Sequence, residues 1–157
     1  MIKRICFVFL CISASSCGSN DKKLVVDPEI VTLEEGFIER YSRGTGDAID
    51  FLASTSKWIA PDDMTFLKDK LDSIKPQLGQ FHGFELIAFR SVSDDFVLRS
   101  YLAKYERQPL RFNLTFYRPT VKWQLHYIEC DFEIDDELKE SARAYRLNRN
   151  LIFEDHE

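Results

Sequence analysis

Glu85, Tyr101, Tyr105, Tyr127 and Cys130 are the side chains of this 157-residue chain whose types and settings could do chemistry. Glu85 lies between Phe84 and Leu86, and Tyr101 and Tyr105 alternate with apolar neighbours. A carboxyl buried in such a setting has its pKa raised and can exchange a proton with a substrate, while a nearby phenol can donate a hydrogen bond. That would be isomerase- or hydrolase-type work in an open pocket. The alternative for Glu85 is a solvated carboxylate on the outer face of a strand. Cys130 sits among apolar strand residues with no base beside it in sequence, which reads as a buried, inert thiol. His82, His126 and His156 form no paired-ligand spacing, so no metal is expected. Gly44, Thr45 and Gly46 lack the preceding strand and the further glycines or lysine of a phosphate loop, and no cofactor is expected.

The elements that must position these residues divide into two halves. "TLEEGFIERY" has Thr32 and Glu35 in capping-box spacing, with Leu33, Phe37 and Tyr41 on one helical face. After a break at "SRGTGD", Asp47 is placed to cap a short helix carrying Ile49, Leu52 and Ala53. A third helix opens at Pro61 with Asp62 and Asp63 at its positive dipole end. It carries the stripe Met64, Leu67, Leu71, Ile74 and Leu78, and Pro76 and Gly79 are expected to end it.

Strand patterns follow: "FELIAFRS", "FVLRSYLAKY" and the hairpin "LRFNLTFYRPTVKWQLHYIECDF", all with short connections that imply an antiparallel meander. In the hairpin Leu110, Phe112, Leu114 and Phe116 share one face, and Val121, Trp123, Leu125 and Tyr127 share its continuation. The apolar phase then slips to Ile128, Cys130 and Phe132. A β-bulge near Tyr127 would restore those three to the inside and curve the sheet; burial of the strand on both faces under a final helix is the alternative. That helix is read over "DDELKESARAYRL", with Leu138, Ala142 and Tyr145 on one face. The expected fold class is α+β: N-terminal helices packed on a curved four-stranded antiparallel sheet, with a C-terminal helix. Leu110, Phe112, Leu114, Phe116, Trp123, Leu125, Tyr127 and Cys130 are the expected interior lining, which contains no Asp, Glu or His. Arg111, Asn113, Tyr117, Lys122, Gln124 and His126 form the polar face, either an interface or a solvated surface.

"GDAIDFLAS" and the "FYRPTVKWQL" hairpin, with helices first and a curved meander after them, resemble the nuclear-transport-factor-2-like, cystatin-like superfamily. The resemblance covers nearly all of residues 30–147, and the hairpin resembles that of small bacterial members. It implies a cone of helices and curved sheet that holds a ligand, holds a catalytic site or is filled, and dimerisation through the outer sheet face. No catalytic residue is carried over, because the lining lacks the acids and bases that enzymes of this fold use.

The N-terminus orders a basic pair, Lys3 and Arg4, an apolar run from Ile5 to Ile12, and small residues from Ser13 to Ser16. That order is a secretory signal, too short for a membrane span. "ASSC" resembles a bacterial lipoprotein signal over residues 1–16, which makes Cys17 the acylated first residue of the mature chain. Several acyl chains on one residue form a stable anchor; simple secretion is the runner-up. Gly18, in place of Asp, favours the outer membrane by analogy. Residues 17–29 then read as a lipidated cysteine and polar linker, 30–147 as the domain and 148–157 as a tail. Without Lys3 and Arg4 the formal charge moves from −5 to −7, so an acidic chain without a basic block has no electrostatic reason to bind nucleic acid. The expectation is a lipid-anchored protein of the bacterial cell envelope, held to the membrane through Cys17. It would bind a second copy in a homodimer, another envelope protein or a small apolar ligand.

Overall fold

A computed structural model describes residues 26–153. The signal segment, Cys17, most of the linker and the last tail residues lie outside the described residues, as does the Tyr145 side chain. The element order is α1 (Pro28–Arg43), α2 (Thr45–Ala53), α3 (Pro61–Leu78), β1 (Phe81–Ser93), β2 (Phe96–Tyr105), β3 (Leu110–Tyr117), β4 (Gln124–Asp131) and α4 (Ile134–Phe153). The four strands form one antiparallel sheet in the order β1-β2-β3-β4, the meander expected from the short connections. The fold class is α+β.

The first helix begins earlier than the Thr32–Glu35 spacing suggests. Asp27 is its N-cap, accepting from the Glu29 backbone N–H at 2.9 Å, and Pro28 fills the first helical position where no N–H is needed. Thr32 instead donates back to the Pro28 carbonyl within the helix. Asp47 likewise does not cap α2; Gly44 occupies that position and Asp47 lies in the first turn, where its charge meets the helix dipole. Pro76 does not end α3, since a missing N–H so close to the C-terminus costs only one bond of the last turn. The chain turns into β1 at Gly79, whose φ of 82° suits glycine and whose missing Cβ would meet Glu106 Oε2 at 2.9 Å.

One aromatic cluster joins helix and sheet. Phe37 and Tyr41 of α1 pack against Phe84 of β1 and Phe112 of β3, with ring centroids 5.0–5.9 Å apart. Leu110, Phe112, Leu114, Phe116, Trp123, Leu125 and Cys130 are buried with them, as the alternating pattern predicts. The stripe of α3 covers the same core through Met64, Leu67, Leu71 and Leu78.

Tyr127 is the exception. Thr115 pairs with Tyr127 and Phe116 with Leu125, so His126 is the extra residue of a bulge. The bulge returns Ile128 and Cys130 to the core, but it lies one residue earlier than the apolar phase implies and turns Tyr127 outward, 54 % exposed. Val121 and Phe132 are also outside, the first in the β3–β4 loop and the second beyond the end of β4. The closing helix does not cover the sheet with its expected face: Leu138 is 65 % exposed and Ala142 is exposed.

Truncation at the cluster should be far more costly than at the outward tyrosine. Phe112→Ala is expected to lower unfolding free energy by about 3–5 kcal/mol, and Tyr127→Ala by about 0.5 kcal/mol or less, both read from urea denaturation.

Candidate functional site

The residues singled out for chemistry do not meet at one site: Tyr127 and Cys130 both line a groove beside β4, while Glu85, Tyr101 and Tyr105 lie elsewhere on the sheet. Glu85 pairs with Leu102 on the outer side of the sheet, is largely exposed, and sits 3.4 Å from the Lys104 ammonium. It does not line the interior. Tyr105 is buried and shares a 2.8 Å hydrogen bond between its hydroxyl and that of Tyr41. Burial pushes both phenols up, so each stays neutral. Tyr101 is buried too, pushed up to about 12 by burial, and its hydroxyl accepts from Arg99 Nη2 at 3.5 Å. Tyr127 donates to Glu129 Oε2 at the surface, at 3.2 Å. Burial raises the Cys130 thiol to about 11.

The interior nevertheless holds an acid and a base, which corrects the expectation of an uncharged lining. Glu34 on α1 and Arg99 on β2 are 3 % and 7 % exposed, and they meet in a two-pronged pair: Nε to Oε1 at 2.6 Å and Nη2 to Oε2 at 3.0 Å. The Arg99 guanidinium also lies over the Phe89 ring at 5.0 Å. Two sequence signals point to this pair. Ile30, Glu34, Phe37 and Tyr41 fall on one helical stripe, and Val97, Arg99, Tyr101, Ala103 and Tyr105 alternate along one strand face. Each apolar stripe carries a single charge, of opposite sign. The pair is enclosed and mutually neutralised, so it positions α1 over β2.

Open concavity lies at the periphery. A groove of about 670 Å³ runs between α3 and the free edge of β4. Met64, Leu67 and Ile128 line its apolar part, and Trp58, Phe66 and Tyr127 stand at its sides, 86 %, 72 % and 54 % exposed. Asp63, Lys70 and Glu129 add charges of both signs. The edge of β4 is closed at two points, one in the groove and one at the start of the strand. Lys70 Nζ donates to the Cys130 carbonyl at 2.6 Å, and the Leu125 N–H donates to Thr55 Oγ1 at 2.9 Å. Side chains that take up edge groups this way oppose the addition of another strand.

A second recess of about 340 Å³ lies where α1 begins. Arg118 bridges Asp27 at 2.9 Å and Asp95 at 2.8 Å there, over the Trp123 ring. The buried indole N–H of Trp123 makes no full hydrogen bond among the described residues. It lies close enough to help hold the Asp27 carboxyl below its ordinary range, together with the Glu29 N–H and Arg118.

The polar sheet face is tied up with itself. Arg111 grips Asp131 at 3.0 and 3.1 Å, Asn113 donates to Glu129 at 2.9 Å, and Ser100 donates to Asn113 at 2.6 Å. Among the described residues no cluster of three or more His, Cys, Asp or Glu is placed to hold a metal ion, and no helix is long and apolar enough to cross a membrane. Comparison with protein-family models and with curated proteins finds no match.

Glu34→Ala strands Arg99 as an unpaired buried charge and should cost about 3–5 kcal/mol in urea denaturation, while the apolar double replacement Glu34→Met with Arg99→Met recovers most of it. Burial outweighs the pull of Arg99 and raises the Glu34 carboxyl above its ordinary 4.5. The folded state therefore holds this proton more tightly, and the linked stabilisation is complete below pH 4.5 and lost as pH rises through the higher folded value. That slope should be absent from the pH–stability curve of Glu34→Gln.

Proposed function

We propose that this chain is a lipid-anchored protein of the bacterial cell envelope and acts as a non-catalytic binding domain. Its binding seat is the groove between α3 and β4. The observation that carries the reading is the contrast between a filled interior and an open flank. The space a catalytic cone would need is occupied by Phe37, Tyr41, Phe84 and Phe112, and its one described ion pair is closed on itself. The groove instead exposes three aromatic rings beside mixed charges, the composition of a recognition surface. Because Lys70 and Thr55 block the strand edge, recognition is through side chains that seat against Phe66 and Tyr127. The partner is an envelope protein presenting apolar side chains.

Anchoring rests on the "ASSC" resemblance and on Cys17. The order of helices before an antiparallel meander is what supports a place in the nuclear-transport-factor-2-like superfamily.

Membrane fractionation of Cys17→Ser should move the protein from the membrane to the soluble fraction; an unchanged membrane pool removes the anchor. For the groove, a photoreactive residue in place of Phe66 should give a discrete protein adduct in intact envelopes, several-fold weaker when Tyr127→Asp is added. No adduct from position 66 rejects the groove as a protein seat. Thermal shifts with fatty-acid probes in that case would assign it to a small apolar ligand instead.

A further inference from the structure

The three most exposed large apolar side chains all sit at one end of the fold. They are Trp58 in the α2–α3 connection, 86 % exposed, Val92 beside the β1–β2 turn, 85 %, and Val121 in the β3–β4 loop, 81 %. Chain direction places them together. The strands alternate, so the β1–β2 and β3–β4 connections share an end, and the Leu125 N–H bonded to Thr55 ties the α2–α3 connection to the same end. Arg118 locks both hairpin connections to the start of α1, binding Asp27 and Asp95 at once. The described chain therefore enters the domain at the end that carries these three side chains. Lys57 and Lys122, both exposed, flank Trp58 and Val121 in sequence. The opposite end turns through Glu106, Arg107 and Gln108, all exposed.

We infer that this end lies against a lipid bilayer, with Trp58, Val92 and Val121 in the interfacial zone and Lys57 and Lys122 at headgroup level. The inference rests on the anchor proposed above, and it adds which surface the anchor presses to the membrane. Residues 18–26 separate Cys17 from the cap of α1, a tether of at most about 36 Å when fully extended, so the domain stays close to its anchor. A tryptophan, with an apolar body and a polar N–H, suits the water–lipid boundary, and lysine stems extend their charge toward water. Asp62, Asp63 and Asp94 share this end, so apolar insertion drives the contact and attraction to anionic headgroups does not.

The test uses the full-length protein purified from bacterial membranes and reconstituted into phosphatidylethanolamine–phosphatidylglycerol vesicles with brominated acyl chains. The chain has two tryptophans, and Trp123 is 3 % exposed, so quenching by the bromines reports Trp58. The expected result is a roughly twofold loss of emission relative to unbrominated vesicles, as for an indole at the interface, unchanged by added salt and absent in Trp58→Phe. Val92→Asp with Val121→Asp, both at exposed positions, should restore most of the emission while the protein still floats with the vesicles. Vesicle-bound protein whose Trp58 is not quenched overturns the orientation and leaves the anchor standing. Protein that does not float with vesicles overturns the anchor, and the orientation with it.

Discussion

Packing of the α1 aromatic ridge onto the inner face of the sheet is the constraint from which the other features follow. Phe37 and Tyr41 reach Phe84 and Phe112, and Tyr41 also bonds Tyr105 through its hydroxyl. Aromatic rings in tilted and edge-on contact fill volume that a cone-shaped fold could have left for a ligand. With that volume taken, the open concavity among the described residues lies on the flank of α3 and β4, where the proposed binding seat is placed. The same packing sets α1 along the sheet, so that Asp27 meets the hairpin loops at one end and Tyr41 meets Tyr105 at the other.

The Glu34–Arg99 pair sits inside this packing and has a different role. A buried ion pair is weak evidence for stability, because desolvation of both charges opposes their attraction. Its contribution here is positional: a two-pronged pair tolerates neither a rotated helix nor a shifted strand. Tyr101 and Phe89 complete the surroundings of the guanidinium. The arrangement therefore holds α1 and β2 in one register, with the Glu34 carboxylate and the Arg99 guanidinium engaged by each other.

Reading the functional features by location gives the molecule a polarity. Lys70, through its bond to the Cys130 carbonyl in the groove, and Thr55, at the start of the strand, close the edge of β4, and Arg118 gathers the chain entry and two hairpins at one end. The most exposed large apolar groups, Trp58, Val92 and Val121, gather at that end, and Phe66 and Tyr127 stand at the groove, while Arg111 and Asn113 on the outer sheet face are bonded to Asp131 and Glu129. Under the two proposals the membrane-facing end takes Trp58, and Phe66 and Tyr127 along the flank stay accessible to a partner.

Periodicity and punctuation in the chain were enough for the element types, the meander and the burial of Leu110, Phe112, Leu114, Phe116, Leu125 and Cys130, because each depends only on near neighbours along one strand or helix face. The same local logic foresaw a bulge, since a phase slip must be absorbed somewhere. Which residue absorbs it depends on the cross-strand ladder, and pairing of Thr115 with Tyr127 chose His126 and expelled the tyrosine. Glu34 and Arg99 each stood in plain view as a lone charge on an apolar stripe, yet only contact between α1 and β2 makes them a pair. The groove and the gathering of Trp58, Val92 and Val121 are likewise tertiary facts, because they join segments far apart in the chain through contacts that no local pattern encodes. Sequence alone determined what each segment could become; the meeting of faces decided which side chains are enclosed, which are neutralised and which are left to bind.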